Sequence, residues 1–220
     1  MLLNNLKILC KEHFKINLVL LFSLFFLISC SNQLIIGTNN TFTNLIKNIS
    51  IEELNGLEDS IVVSIREQKL YYLKKGTVID EYPISSSKYG IGSMENSYKT
   101  PLGRHKVSEK IGKELPFGAV LKGRKWTGSI ANIIKDPIDT DLDIVTSRIL
   151  WLEGQELGLN RGPGIDSKER YIYIHGTAEE GLIGKPASDG CIRMYNSDVI
   201  ELFDKIPINT NVWILNKWKI

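Results

Sequence analysis

Two residues in the C-terminal part of the chain have types and spacing suited to covalent chemistry. His175 and Cys191 stand 16 positions apart, in Ile174-His175-Gly176-Thr177 and Ser188-Asp189-Gly190-Cys191-Ile192-Arg193-Met194. A thiol becomes a strong nucleophile when a neighbouring base takes its proton. A loop of this length can fold back and bring imidazole and sulfur together. On residue types alone two readings stand level: a nucleophile and its base, or a core histidine beside a small buried cysteine. The flanking residues favour the first. Gly190 admits a backbone conformation closed to other residues, and the N–H groups of Gly190 and Cys191 are expected to face a developing oxyanion, as acyl transfer requires. If the chain is extended here, Arg193 shares a face with Cys191, where it is expected to grip a substrate carboxylate through paired hydrogen bonds. Ser188 and Asp189 form the polar approach to the thiol and are expected on the substrate side. A thiol activated in this way should outreact a model thiol at neutral pH.

The elements that must carry these residues are mostly strands. Ile61–Ile65 is β-branched, and Leu70–Leu73 and Val78–Ile84 follow across short polar turns, which predicts an antiparallel meander. Thr100-Pro101-Leu102-Gly103 is a turn into a short strand, Arg104–Val107. Glycine and proline punctuate residues 111–128, which predicts loop with short strands. Leu142–Leu152 fits a strand pair or a short helix equally well. Tyr171–Ile174 is a strand that would deliver His175 at its end. Asn196-Ser197-Asp198 reads as an N-cap cluster opening a helix that Pro207 stops, and Val212–Leu215 closes the chain as a strand. His105 reads as a structural or surface residue, and the tryptophans Trp126, Trp151, Trp213 and Trp218 as core or rim packing. Tyr71, Tyr72, Tyr171 and Tyr173 alternate with aliphatics as half-buried strand residues do.

The N-terminus reads as an address. Lys7, Lys11 and Lys15 precede an apolar run of 13 residues, Ile16–Ile28, too short for the ~20 residues of a membrane-spanning helix and suited to a secretory signal. Leu27-Ile28-Ser29-Cys30 is similar to a bacterial lipobox, which implies removal of residues 1–29 and lipidation at Cys30. Residues 30–60, rich in Asn, Ser and Thr, read as a tether or N-terminal extension with a short helix near 42–54. Residues 1–29 hold three lysines and one glutamate, so 24 basic and 24 acidic residues remain. That balance offers no field for nucleic-acid binding. With Cys10 removed and Cys30 lipidated, Cys191 is the one free thiol in an oxidising compartment, and no disulfide scaffold is possible.

The segment around Cys191 resembles the L,D-transpeptidase catalytic domain, or YkuD domain, whose pattern is H-G-T, a loop, then S-H-G-C, an apolar residue, Arg and Met. Thr100-Pro101-Leu102-Gly103 resembles the family's T-P-x-G turn, and Gln68-Lys69-Leu70 its Q-x-L element. The resemblance covers residues 61–215. It implies a mainly β fold, a β-sandwich-like mixed sheet with one or two short helices. It implies Cys191 as nucleophile, His175 as general base and acid, and the Gly176 carbonyl as the group that orients the imidazole. The implied substrates are peptidoglycan stem peptides: Cys191 opens the L,D bond after the third residue of a tetrapeptide, and an acceptor amine resolves the thioester into a 3→3 cross-link. Water as acceptor would give an L,D-carboxypeptidase, and a decayed site a peptidoglycan-binding lipoprotein. Asp189 stands where the family has a histidine, which puts acceptor choice or activity in question. No cofactor is implied, and the dispersed histidines and cysteine offer no metal-ligand pattern. The expected location is the periplasmic side of the envelope. Ser31 after Cys30 favours the outer membrane.

Overall fold

The computed structural model describes residues 56–140 and 142–218. The expected signal segment 1–29, Cys30 and the expected tether up to residue 55, including the helix expected near 42–54, lie outside the described residues.

The described chain runs β1 (Asp59–Ser64), β2 (Lys69–Lys74), β3 (Thr77–Ser85), β4 (Gly103–Ile111), β5 (Ala119–Lys122), β6 (Lys125–Ile130), β7 (Val145–Gly154), β8 (Tyr173–Thr177), β9 (Ile192–Met194), α1 (Asn196–Lys205) and β10 (Asn211–Leu215). A 3-10 turn, Glu180–Leu182, lies between β8 and β9. The strands form one mixed sheet in the order β4-β10-β1-β2-β3-β9-β8-β7-β5-β6. Because β4 also pairs with β7, the first eight strands of that order close on themselves, and the β5–β6 hairpin extends from β7. The pairs β1/β10 and β8/β9 are parallel.

The unbroken apolar run of β1 follows from burial on both faces. Ile61 and Val63 enter the main core with Leu70, Ile84, Leu150, Ile174, Ile192, Met194 and the α1 residues Val199, Leu202 and Phe203. Val62 turns the other way, to Tyr71, Leu73, Leu215 and Trp218. Lys75 and Gly76, both at positive φ, make the two-residue turn from β2 to β3, the geometry that matches strand twist.

Several elements depart from the sequence expectation. Leu142–Leu152 resolves into a single strand, β7, whose irregular register between Thr146 and Ile149 obscures its alternation. His175 sits in the middle of β8, which runs on through Thr177. Asn196 does not cap α1. Its amide is buried, donating to the Thr177 carbonyl and Glu180 and accepting from the hydroxyls of Thr146 and Ser147. Glu180 instead accepts the Asn196 N–H at 2.8 Å and satisfies the helix start from outside. Tyr171 and Trp126 are exposed, at 53% and 47%, because each lies outside the closed part of the sheet. His105 is buried, bonded to the Gly103 carbonyl and Ser167 Oγ, and burial pushes its pKa down to about 4.

Candidate active site

Parallel pairing of β8 with β9 assembles the site. His175 is the register partner of Arg193, and Ile174 of Ile192. Ile174, Ile192 and Met194 face the main core. Alternation therefore puts Tyr173, His175, Cys191 and Arg193 on the other face. Cys191 is half-buried and free and lies beside Tyr173, whose N–H approaches its sulfur at 3.4 Å. Gly190 takes φ +123°, a conformation that strains any other residue, and so turns the chain into β9.

His175 is fully buried. Its Nδ1 meets the Gly176 carbonyl at 2.7 Å, so this nitrogen carries the proton. Nε2 is left as the basic nitrogen, buried and without a hydrogen-bond partner. Burial lowers the imidazole pKa against the opposing pull of Asp143 and the Gly176 carbonyl, so His175 is neutral at pH 7. The thiol donates to the Tyr171 carbonyl at 3.3 Å. Burial, reinforced by Asp143, pushes its pKa up to about 12. The resting pair is thus a neutral thiol and a neutral imidazole, one strand apart on a shared face. The raised thiol pKa runs against the expectation that Cys191 outreacts a model thiol at neutral pH.

Arg193 requires a larger correction. It is 1% exposed, with Nε on Asp143 at 2.7 Å and Nη1 on Glu179 at 2.8 Å. A guanidinium sealed between two carboxylates cannot take a substrate carboxylate. Ser188 is also buried. It donates to the Cys191 carbonyl at 2.6 Å and accepts the Gly190 N–H at 3.3 Å, so it braces the turn, and the Gly190 N–H is engaged rather than aimed at an oxyanion. Asp189 does reach the surface. Its N–H donates to Asp143, its carboxylate lies 3.8 Å from the Lys88 ammonium, and burial together with Asp143 raises its pKa.

Asp143, Glu179 and Arg170 are the residues that sequence inspection misses. Asp143 lies two residues before β7 and bonds to both Arg193 and the Asp189 N–H. Burial would raise its pKa, but attraction to His175 and Arg193 outweighs that and holds the carboxyl below its ordinary value. Glu179 also accepts from the Thr140 N–H and hydroxyl, anchoring the same segment. Nothing local distinguishes Asp143 from other loop aspartates. Its role arises from Arg193, 50 residues away. Arg170 lines a cleft of about 230 Å³ with Glu95, Asn96, Tyr98, Glu169, Tyr171, Ile172 and Asp189. Among the described residues no group of three or more His, Cys, Asp or Glu side chains could hold a metal ion.

Residues 58–214 match the family model described as YkuD, L,D-transpeptidase catalytic domain. A 54-residue stretch is 50% identical to the putative L,D-transpeptidase YqjB of Bacillus subtilis, covering 23% of this chain and 31% of that protein. Over 170 residues the chain is 28% identical to the probable L,D-transpeptidase ErfK/SrfK of Salmonella typhimurium, covering 73% of this chain and 45% of that one. The chain thus spans less than half the length of these curated relatives. Among solved structures, the L,D-transpeptidase from Mycobacterium smegmatis is similar at 16% identity and a TM-score of 0.44, over 71% of this chain and 58% of that one.

Proposed function

The chain belongs to the family of YkuD L,D-transpeptidase catalytic domains, and we propose that it is itself a peptidoglycan L,D-transpeptidase acting through Cys191. One observation supports this most: the imidazole of His175 is fixed by the Gly176 carbonyl, with its Nε2 buried and unpartnered on the face that also carries Cys191.

Cys191 Sγ attacks the carbonyl of the third residue of a tetrapeptide stem while His175 Nε2 takes the thiol proton. The same nitrogen returns the proton to the departing D-alanine amine, leaving a thioester. An acceptor amine then attacks, His175 takes its proton, and the amide formed is a 3→3 cross-link. The thiolate is released and reprotonated. Arg193 and Asp143 act through position. They tie β9 to the segment before β7, and Asp143 favours the imidazolium that each transfer creates. Asp189 lies at the mouth of the cleft and sets acceptor choice. An Asp189→His variant with an unchanged acceptor profile would sink that assignment. The sequence supports secretion by residues 1–29, lipid attachment at Cys30 and display on the periplasmic side of the envelope, at the outer membrane.

A second reading, stem binding without turnover, draws on the thiol's raised pKa and its bond to the Tyr171 carbonyl. Incubation of the full chain in detergent with disaccharide-tetrapeptide separates the two, with products read by mass spectrometry beside Cys191→Ala. A dimer short of one D-alanine supports transpeptidation. Tripeptide alone supports hydrolysis, and an unchanged substrate supports binding without turnover.

A further inference from the structure

We propose that Arg124 is the receptor for a free carboxylate on the donor stem and thereby sets donor specificity. This rests on the stem-peptide reading above. Arg193 is sealed between Asp143 and Glu179, so a carboxylate brought to Cys191 must be met by another cation. Arg170 is poorly placed for it. Its terminal nitrogens donate to the Gly92 and Lys99 carbonyls, and it shares its cleft with Glu95, Glu169 and Asp189.

Arg124 has the opposite surroundings. Its guanidinium lies over Trp151 at 4.5 Å and Tyr171 at 5.1 Å. Nη1 donates to the Tyr173 hydroxyl at 3.2 Å. Among the described residues no carboxylate is within ion-pair distance of it, and the nearby Glu109 is held by Lys168 at 3.3 Å. The two tyrosines that hold this guanidinium are the two whose backbones hold the sulfur: the Tyr173 N–H at 3.4 Å and the Tyr171 carbonyl at 3.3 Å. Beside the ring contacts, the Tyr173 hydroxyl engages one terminal nitrogen and leaves other guanidinium N–H donors for a planar carboxylate. Gly123-Arg124 is the two-residue turn between β5 and β6, and Arg124 takes φ +65° in a turn that favours glycine at positive φ.

The test measures binding to the full chain carrying Cys191→Ala, in detergent, by calorimetry. The ligands are a tetrapeptide stem and two versions amidated singly, at the C-terminal or the internal carboxylate, which identifies the carboxylate that is read. One amidation should weaken binding about tenfold. R124Q should weaken the free stem by about the same factor and remove the discrimination, with R124K recovering part of both. In the active chain R124Q should raise KM about tenfold while kcat changes little. A folded R124Q protein that still discriminates, or an unsubstituted Arg124 site indifferent to both amidations, overturns this assignment alone. A chain that binds no stem at all overturns it together with the stem-peptide reading.

Discussion

Arg193→Gln separates a sealed ion-pair role from a substrate-binding one. The substitution leaves Glu179, whose side chain is 2% exposed, and Asp143, at 19%, without their shared cation. Removing one partner of a buried pair costs about 3–5 kcal/mol, a large share of the roughly 5–15 kcal/mol that stabilises a domain. At about 2–4 °C per kcal/mol for a domain of this size, the melting temperature should fall by about 6–20 °C. Part of the deficit depends on pH. The folded pKa of Asp143 lies below its ordinary value, so its stabilisation is full above the unfolded value of about 3.9 and is lost as pH falls through the folded value. Urea unfolding at pH 7 and pH 3, followed by tryptophan fluorescence, reads both effects. A variant within 1 kcal/mol of the parent at pH 7, showing only a raised KM, would refute the reasoning and return Arg193 to the substrate.

Three further outcomes follow from the site and the core. The acylation rate should fall on the acid side through one titration below pH 6.5 and stay level to about pH 9, because burial holds His175 below its ordinary 6.5 and the thiol is pushed up to about 12. A second, alkaline limb near pH 8.5 in that half-reaction would contradict this. Iodoacetamide should label Cys191 in the free protein at pH 7.5 more slowly than a model thiol of pKa ~8.5, because burial pushes the thiol up to about 12 and leaves little thiolate, and labelling as fast as the model thiol would contradict it. For His105 the folded pKa is about 4 against an ordinary 6.5. The unfolded chain therefore binds more protons between those values, and about 3 kcal/mol of stability is lost as pH falls from 6.5 to 4. His105→Gln should flatten that part of the stability profile, as chemical unfolding at several pH values would show.

Much of the fold is legible in the sequence where one local rule governs. β1 to β3 follow from β-branched runs and polar turns, and β10 from a clean apolar run. The sequence fails where distant partners decide. Asn196 looks like a cap until β7 and β8 present hydroxyls and a carbonyl to its amide. Leu142–Leu152 loses its alternation to a register shift against β8. The same division holds in the site. Cys191, His175 and Gly176 are marked by motif, and the hydrogen bond from Nδ1 to the Gly176 carbonyl fits the role assigned to it. Arg193 is marked by the same motif, but only the structure shows Asp143 and Glu179 enclosing it. The carboxylates come from the segment before β7 and from the segment just after β8, and their spacing to Arg193 carries no periodic signal.

The central claim is that Cys191 carries the acyl group and His175 moves its proton. Intact-protein mass spectrometry, after acid quench of the full chain mixed with disaccharide-tetrapeptide, tests it most directly. The account predicts a mass gain equal to the disaccharide-tripeptide acyl group, localised to Cys191, absent from Cys191→Ala and strongly reduced in His175→Gln. Product formation by Cys191→Ala, or an acyl group found on any other residue, would contradict it.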